Sequence, residues 1–141
     1  MNGVDHDIVD ARLRELARRV QRVTARRPAS LKALEADEDL QDILARNLTL
    51  AIQAAQDIAY HLCAARGQVP PTSAEAFALL AKERLIPHAL AERMARATGF
   101  RNVLVHEYTR IDWQQVLAAT RDGTRDLMAF GKAVAALLDR A

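Results

Sequence analysis

The chain is poor in the residues that punctuate or cross-link a fold. Among its 141 residues there are one cysteine, four prolines and five glycines. The lone Cys63 cannot close an internal disulfide, and within a helical pattern it reads as a small buried apolar side chain. Aromatic residues are scarce too: one tryptophan, two tyrosines and three phenylalanines. Aliphatic side chains must therefore fill the core. Alanine and leucine dominate, which favours helices packed on helices. No strand-like alternation, repeat, linker or low-complexity tract is visible. No apolar run approaches the roughly 20 residues that span a bilayer. The N-terminus is charged within its first ten residues and shows no secretory signal, so the expected compartment is the cytoplasm, with no membrane partner. An excess of one charge is also missing. A formal charge of +2 excludes a general nucleic-acid coat, so any RNA contact must be focused.

Several chemistries are likewise without residues to run them. There is no phosphate loop, no His-x3-His and no Cys-x2-Cys, so neither ATP nor a metal is expected, and no cofactor is predicted. The only serines, Ser30 and Ser73, fall at expected helix starts, which argues against a serine nucleophile.

What is present is helical periodicity. A first helix is predicted from about Asp5 to Arg26, with Val9, Leu13, Leu16, Val20 and Val23 as its apolar stripe. Arginines 12, 14, 18, 19, 22, 26 and 27 mostly lie off that stripe, as an RNA-facing surface or as a solvated face. Pro28 ends the helix. Ser30 can cap a short helix through Ala36. The acids Glu35, Asp37, Glu38 and Asp39 suit the positive end of the next helix, predicted from about Leu40 to Ala65. Its stripe is Leu44, Leu48, Ala51, Ala55, Ile58 and Leu62, and Gly67 with Pro70-Pro71 closes it. Thr72 and Glu75 have capping-box spacing and open a short helix to about Leu85. Pro87 restarts the chain into a helix over about His88–Glu107. Asp112 and Gln115 repeat the capping-box spacing before a last helix to about Arg140, in which Gly123 and Gly131 either weaken the helix or admit a close neighbour. The expectation is one all-α domain over residues 1–141, an antiparallel bundle of about four main helices plus one or two short ones.

One short stretch carries chemistry. Arg101-Asn102-Val103-Leu104-Val105-His106-Glu107-Tyr108 sets an arginine, a histidine and a tyrosine close together at a helix end. Arginine offers a planar cation suited to phosphate, histidine trades a proton near neutral pH, and tyrosine offers a hydroxyl. Asn102 and His106 are four apart and share a face; Arg101 and Tyr108 align only if the helix persists that far. Arg101 and His106 are about 140° apart around the axis and do not sit side by side; their long side chains can converge on a ligand lying across the helix, in a groove completed by another element, or across two copies of the chain. The other histidines, His6, His61 and His88, read as structural or solvated.

The order and spacing of these segments resemble a known family. Arg46-Asn47 opens NLTLAIQAAQDIAYHL; then come Phe77-Ala78-Leu79-Leu80, Ile86-Pro87, Leu90-Ala91-Glu92-Arg93-Met94 and the run Gly99 to Tyr108. From about Val9 to Leu138 the chain looks like the HepT family of HEPN-domain toxins, with the Arg-Asn-x3-His-x-Tyr core as the specific part. The resemblance implies a homodimeric helical bundle that cuts RNA without metal as the toxin of a toxin–antitoxin pair. It implies Arg101 and His106 as catalytic residues, Asn102 as their support, and Tyr108 as the hydroxyl to which an MntA-like nucleotidyltransferase antitoxin transfers AMP.

In this reading His106 serves as acid or base on the RNA 2′-hydroxyl and 5′-oxygen, while Arg101 stabilises the charged phosphorane. AMP on Tyr108 would place bulk and negative charge beside Arg101. Two rivals stand beside it. One is a non-catalytic helical module that docks a nucleotidyltransferase or another partner. The other is an RNA-binding regulator that works through Arg18, Arg19 and Arg22.

Overall fold

A computed structural model describes residues 3–140, and most of its α-helices begin at a capping side chain. Asp5 caps α1 (His6–Ala25), accepting from the Ile8 amide at 3.2 Å. Ser30 caps α2 (Leu31–Glu35) in the same way. Asp37 caps α3 (Glu38–Ala65), which therefore starts earlier than Leu40, because Glu38 and Asp39 occupy its first turn instead of preceding it. Thr72 caps α4 (Ser73–Lys82) and Pro87 opens α5 (His88–His106). A single 3-10 turn, Tyr108–Arg110, follows. Asp112 caps α6 (Trp113–Ala118), which runs through a π turn at Ala119–Gly123 into α7 (Thr124–Asp139). No strand occurs among the described residues, and no helix there is long and apolar enough to cross a membrane.

Two helices stop by the same device. After α3, Gly67 takes φ +72° while the Gln68 and Gly67 amides return to the Cys63 and Ala64 carbonyls, both at 2.9 Å. After α4, Arg84 takes φ 60° and the Leu85 amide returns to Leu80 at 2.8 Å. That is why α4 ends at Lys82 and not at Leu85: Leu85 folds back over the last turn. An arginine in this left-handed conformation costs roughly 1 kcal/mol relative to glycine.

Cross-helix contacts give the topology. Asp5 meets His61, Arg12 meets Asp57, and Arg19 meets Asn47, so α1 runs antiparallel to α3. Arg101 meets Gln53 and Tyr108 meets Asp42, so α5 is also antiparallel to α3 and flanks it. Helix α7 lies against α1, where a Cβ on Gly131 would sit 3.4 Å from Leu16 Cδ2, an ordinary contact. The bundle is the all-α antiparallel architecture expected from the sequence. Its main core joins Leu16, Ile58, Leu62, Phe77, Met94 and Phe130, and the Phe77 and Phe130 rings meet edge to face at 5.4 Å. Cys63 is buried in it, and burial pushes its thiol pKa up.

A second, smaller core holds the end of α5. Val23, Leu34, Leu44, Leu48, Leu104 and Val116 cluster there, and Phe100 packs against both cores. The π turn lies nearby and has a visible cause. The Thr120 carbonyl, freed from regular helix bonding, accepts from Arg27 Nε at 2.9 Å and from the Thr124 hydroxyl at 3.0 Å. The last helix is thus interrupted where the sequence predicted continuity.

Candidate active site

The motif residues occupy the last turns of α5 and the turn after it. Leu104, 4% exposed, anchors this end in the second core, so its neighbours around the helix must face outward or toward α3.

Arg101 turns toward α3. Its Nη2 reaches Gln53 Oε1 at 3.5 Å, the outer limit of a hydrogen bond. Its Nε is buried with no partner. An unsatisfied buried donor costs about 1–3 kcal/mol. Asn102 and His106 are both exposed, and among the described residues neither side chain makes a hydrogen bond. His106 is the final residue of α5, at the negative end of the helix dipole. Arg101 and His106 are therefore not joined to each other within one chain.

Tyr108 does not continue α5. Glu107 breaks the helix at φ −130°, ψ 45°, so the alignment of Arg101 with Tyr108 along one helix face does not arise. The 3-10 turn instead folds the ring onto Trp113, edge to face at 6.4 Å, and the hydroxyl donates to the Asp42 carboxylate on α3. That hydrogen bond, with burial and the charges of Asp42 and Glu38, pushes the phenol pKa from 10.0 up to about 12. The ring is still 46% exposed and lines a hollow with Asp42, Arg46, Thr49 and Leu104. A separate groove of about 440 Å³, between α5 and the α6–α7 helix, contains none of the motif side chains.

Three residues near the motif escaped the sequence reading. Asp42 and Gln53 lie 66 and 48 residues from their partners. Gln53 carried no signal, whereas Asp42 and Arg46 are spaced i, i+4 and could have been read as a pair on one face of α3. The remaining histidines are structural or solvated as expected: His61 Nε2 accepts from the Asp5 amide at 3.1 Å, and His6 and His88 are exposed first residues of helices.

Comparisons with known proteins give the family and the fold. The family profile described as "Ribonuclease HepT-like" matches residues 4–134. A tRNA nuclease HepT from Aphanizomenon flos-aquae is 33% identical over 120 residues, which cover 84% of this chain and 82% of that protein. An mRNA nuclease HepT from Shewanella oneidensis is 30% identical over 95 residues, covering 67% of this chain and 71% of that one. The solved structure of a tri-AMPylated Shewanella oneidensis HEPN toxin in complex with an MNT antitoxin superposes with a TM-score of 0.86 at 26% identity, covering 94% of this chain and 99% of that one. The match over residues 4–134 takes in α1 through most of α7 and the Arg-Asn-x3-His-x-Tyr run, so the chain belongs to the HepT-like ribonuclease family, the toxin side of MntA–HepT toxin–antitoxin systems.

Proposed function

We propose that this chain is a metal-independent endoribonuclease toxin that cuts RNA with Arg101 and His106 and is silenced when an MntA-like nucleotidyltransferase antitoxin transfers AMP to Tyr108. The observation that carries the reading is the state of Arg101: a guanidinium whose Nε is buried without a partner and whose Nη2 makes a single long hydrogen bond to Gln53. Relatives named as tRNA and mRNA nucleases support RNA as the substrate class.

The chemistry follows from the groups present. The RNA 2′-oxygen attacks the adjacent phosphorus, a 2′,3′-cyclic phosphate forms, and the 5′-oxygen leaves with a proton. An imidazole is suited to take the first proton or supply the last. A guanidinium is suited to the charge on the phosphorane oxygens. Asn102 shares the exposed face with His106 and supports either the imidazole or a phosphate oxygen.

Arg101 faces α3 while His106 faces solvent, so one chain does not close both groups on one phosphate. A homodimer that sets Arg101 of one protomer opposite His106 of its partner resolves this, because two-fold symmetry doubles each group at the interface. The same separation is what favours the rival reading of a non-catalytic docking module. The test is growth on induction of wild type, Arg101→Ala and His106→Ala, with total RNA inspected. The proposal expects toxicity and RNA loss from wild type alone. Mixing the two purified variants restores cleavage if the site is shared between protomers. Undiminished cleavage by the double variant refutes the assignment.

A further inference from the structure

The proposed chemistry leaves the arginine-rich face of α1 unused, and the structure sorts those arginines into two kinds. Arg19 is a tie between helices: it bonds Glu15 at 2.7 Å and donates to Asn47 Oδ1 at 3.1 Å, while buried Asn47 donates to the Ile43 carbonyl at 2.8 Å. The Arg19 hydrogen bond holds the Glu15 carboxyl below its usual range. Arg12 is paired with Asp57 at 3.7 Å. Arg18 and Arg22, one turn apart on α1, and Arg46 on α3 are different. All three are exposed, and among the described residues none makes an ion pair or a side-chain hydrogen bond.

These three line one concavity of about 430 Å³, with Arg19 and Asn47 also in its wall. Among the described residues Asp42 is the only carboxylate lining it, and one of its oxygens is already engaged by the Tyr108 hydroxyl. Asp42 and Arg46 also line the hollow that holds Tyr108, so the two depressions share a wall. Three guanidinium groups without ion-pair partners around one hollow repel one another. Their planar forks suit phosphodiester oxygens. The chain as a whole carries only +2, so this is a local concentration and not a consequence of overall charge.

We propose that Arg18, Arg22 and Arg46 form a phosphodiester-binding seat contiguous with Tyr108. A nucleotide chain can reach it from two sources: the RNA substrate, or nucleotidyl groups attached to Tyr108. The second source rests on the modification reading given above. In that transfer the phenolic oxygen attacks the α-phosphorus of a nucleoside triphosphate, an O–P bond forms, and the P–O bond to pyrophosphate breaks. The phenolic proton leaves to the Asp42 carboxylate or to solvent. The product has no donor for Asp42 and carries an anionic phosphodiester that Asp42 repels. Arg46, one turn further along α3, lines the same hollow. A tethered nucleotide competes at high effective concentration and shuts free RNA out of the seat.

The test compares wild type with R18Q/R22Q/R46Q, and with R84Q/R96Q/R121Q as an equal loss of charge elsewhere. Helical content by circular dichroism confirms that each folds. The first arm measures binding of a 2′-O-methyl oligoribonucleotide, which resists cleavage, across a salt series. If RNA uses the seat, the seat variant binds about tenfold or more weakly and its log–log salt slope flattens by about 2, as expected for the loss of three phosphate contacts, while the control variant does neither. The second arm measures release of AMP from nucleotidylated protein by a phosphodiesterase. If the tethered nucleotide uses the seat, release is several-fold faster from the seat variant only. Either result alone identifies the source, and both together show a shared seat. Unchanged binding, slope and release overturn the proposal. If Tyr108 accepts no nucleotide in any variant, the modification reading fails, and the RNA arm still decides the seat.

Discussion

Replacing Asp42 with asparagine removes the charge that the Tyr108 hydroxyl rests on, and the consequence can be followed from the structure. The phenol is pushed up to about 12, first by the hydrogen bond to Asp42, then by burial, then by the charges of Asp42 and Glu38. Each pH unit corresponds to about 1.4 kcal/mol between the protonated and ionised forms. The ring is 46% exposed, so solvent screening cuts the full displacement to roughly 1 kcal/mol of real coupling. Asp42→Asn removes the charge of Asp42 and leaves the hydroxyl only a weaker neutral acceptor, with burial and Glu38 unchanged, so the phenol falls back toward 10 by about one pH unit. The assay is phenolate absorbance during alkaline titration in a Tyr60→Phe background; the chain has two tyrosines, so only Tyr108 then titrates. The sign also fixes a stability window. A pKa raised on folding contributes stability that is fully present below the unfolded value near 10 and lost as pH rises through about 12. The gap in stability between the Tyr60→Phe protein and its Asp42→Asn derivative should narrow across that window. An unmoved titration midpoint in Asp42→Asn refutes the Asp42 carboxylate as the cause, and with it the placement of the Tyr108 hydroxyl against α3.

Other expectations concern the scaffold. Arg84→Gly relieves a left-handed residue at the end of α4 and should raise unfolding stability by roughly 0.5–1 kcal/mol in denaturant titration. Gly131→Leu drives a side chain into Leu13 and Leu16 where α7 meets α1, and should lower stability by about 1–3 kcal/mol, whereas Gly131→Ala meets only ordinary contact and is tolerated. Phe130→Ala empties a fully buried site against Phe77 and should cost about 3–5 kcal/mol, read as a fall in melting temperature.

The bundle was legible because its signals are local. Asp5, Ser30, Thr72 and Asp112 announce helix starts from within a few residues of the amides they cap. Gly67 announces an end in the same way. The stripe from Leu44 to Leu62 needs only the helical period to be read as core. The motif was legible as a set of residue types, since arginine, histidine and tyrosine carry their chemistry wherever they sit. Boundaries were less so: Arg84 gave no sign of a left-handed turn, because that conformation normally selects glycine.

Sequence alone therefore determined the helices, their buried faces and the side chains available for phosphate chemistry, because each depends on neighbours within about one turn. Only the tertiary structure decided that Tyr108 leans on Asp42, that Arg101 turns to Gln53, and that Arg18 and Arg22 meet Arg46. These pairings join residues tens of positions apart on antiparallel helices. Their register is set by how whole apolar faces pack, and no local pattern encodes it.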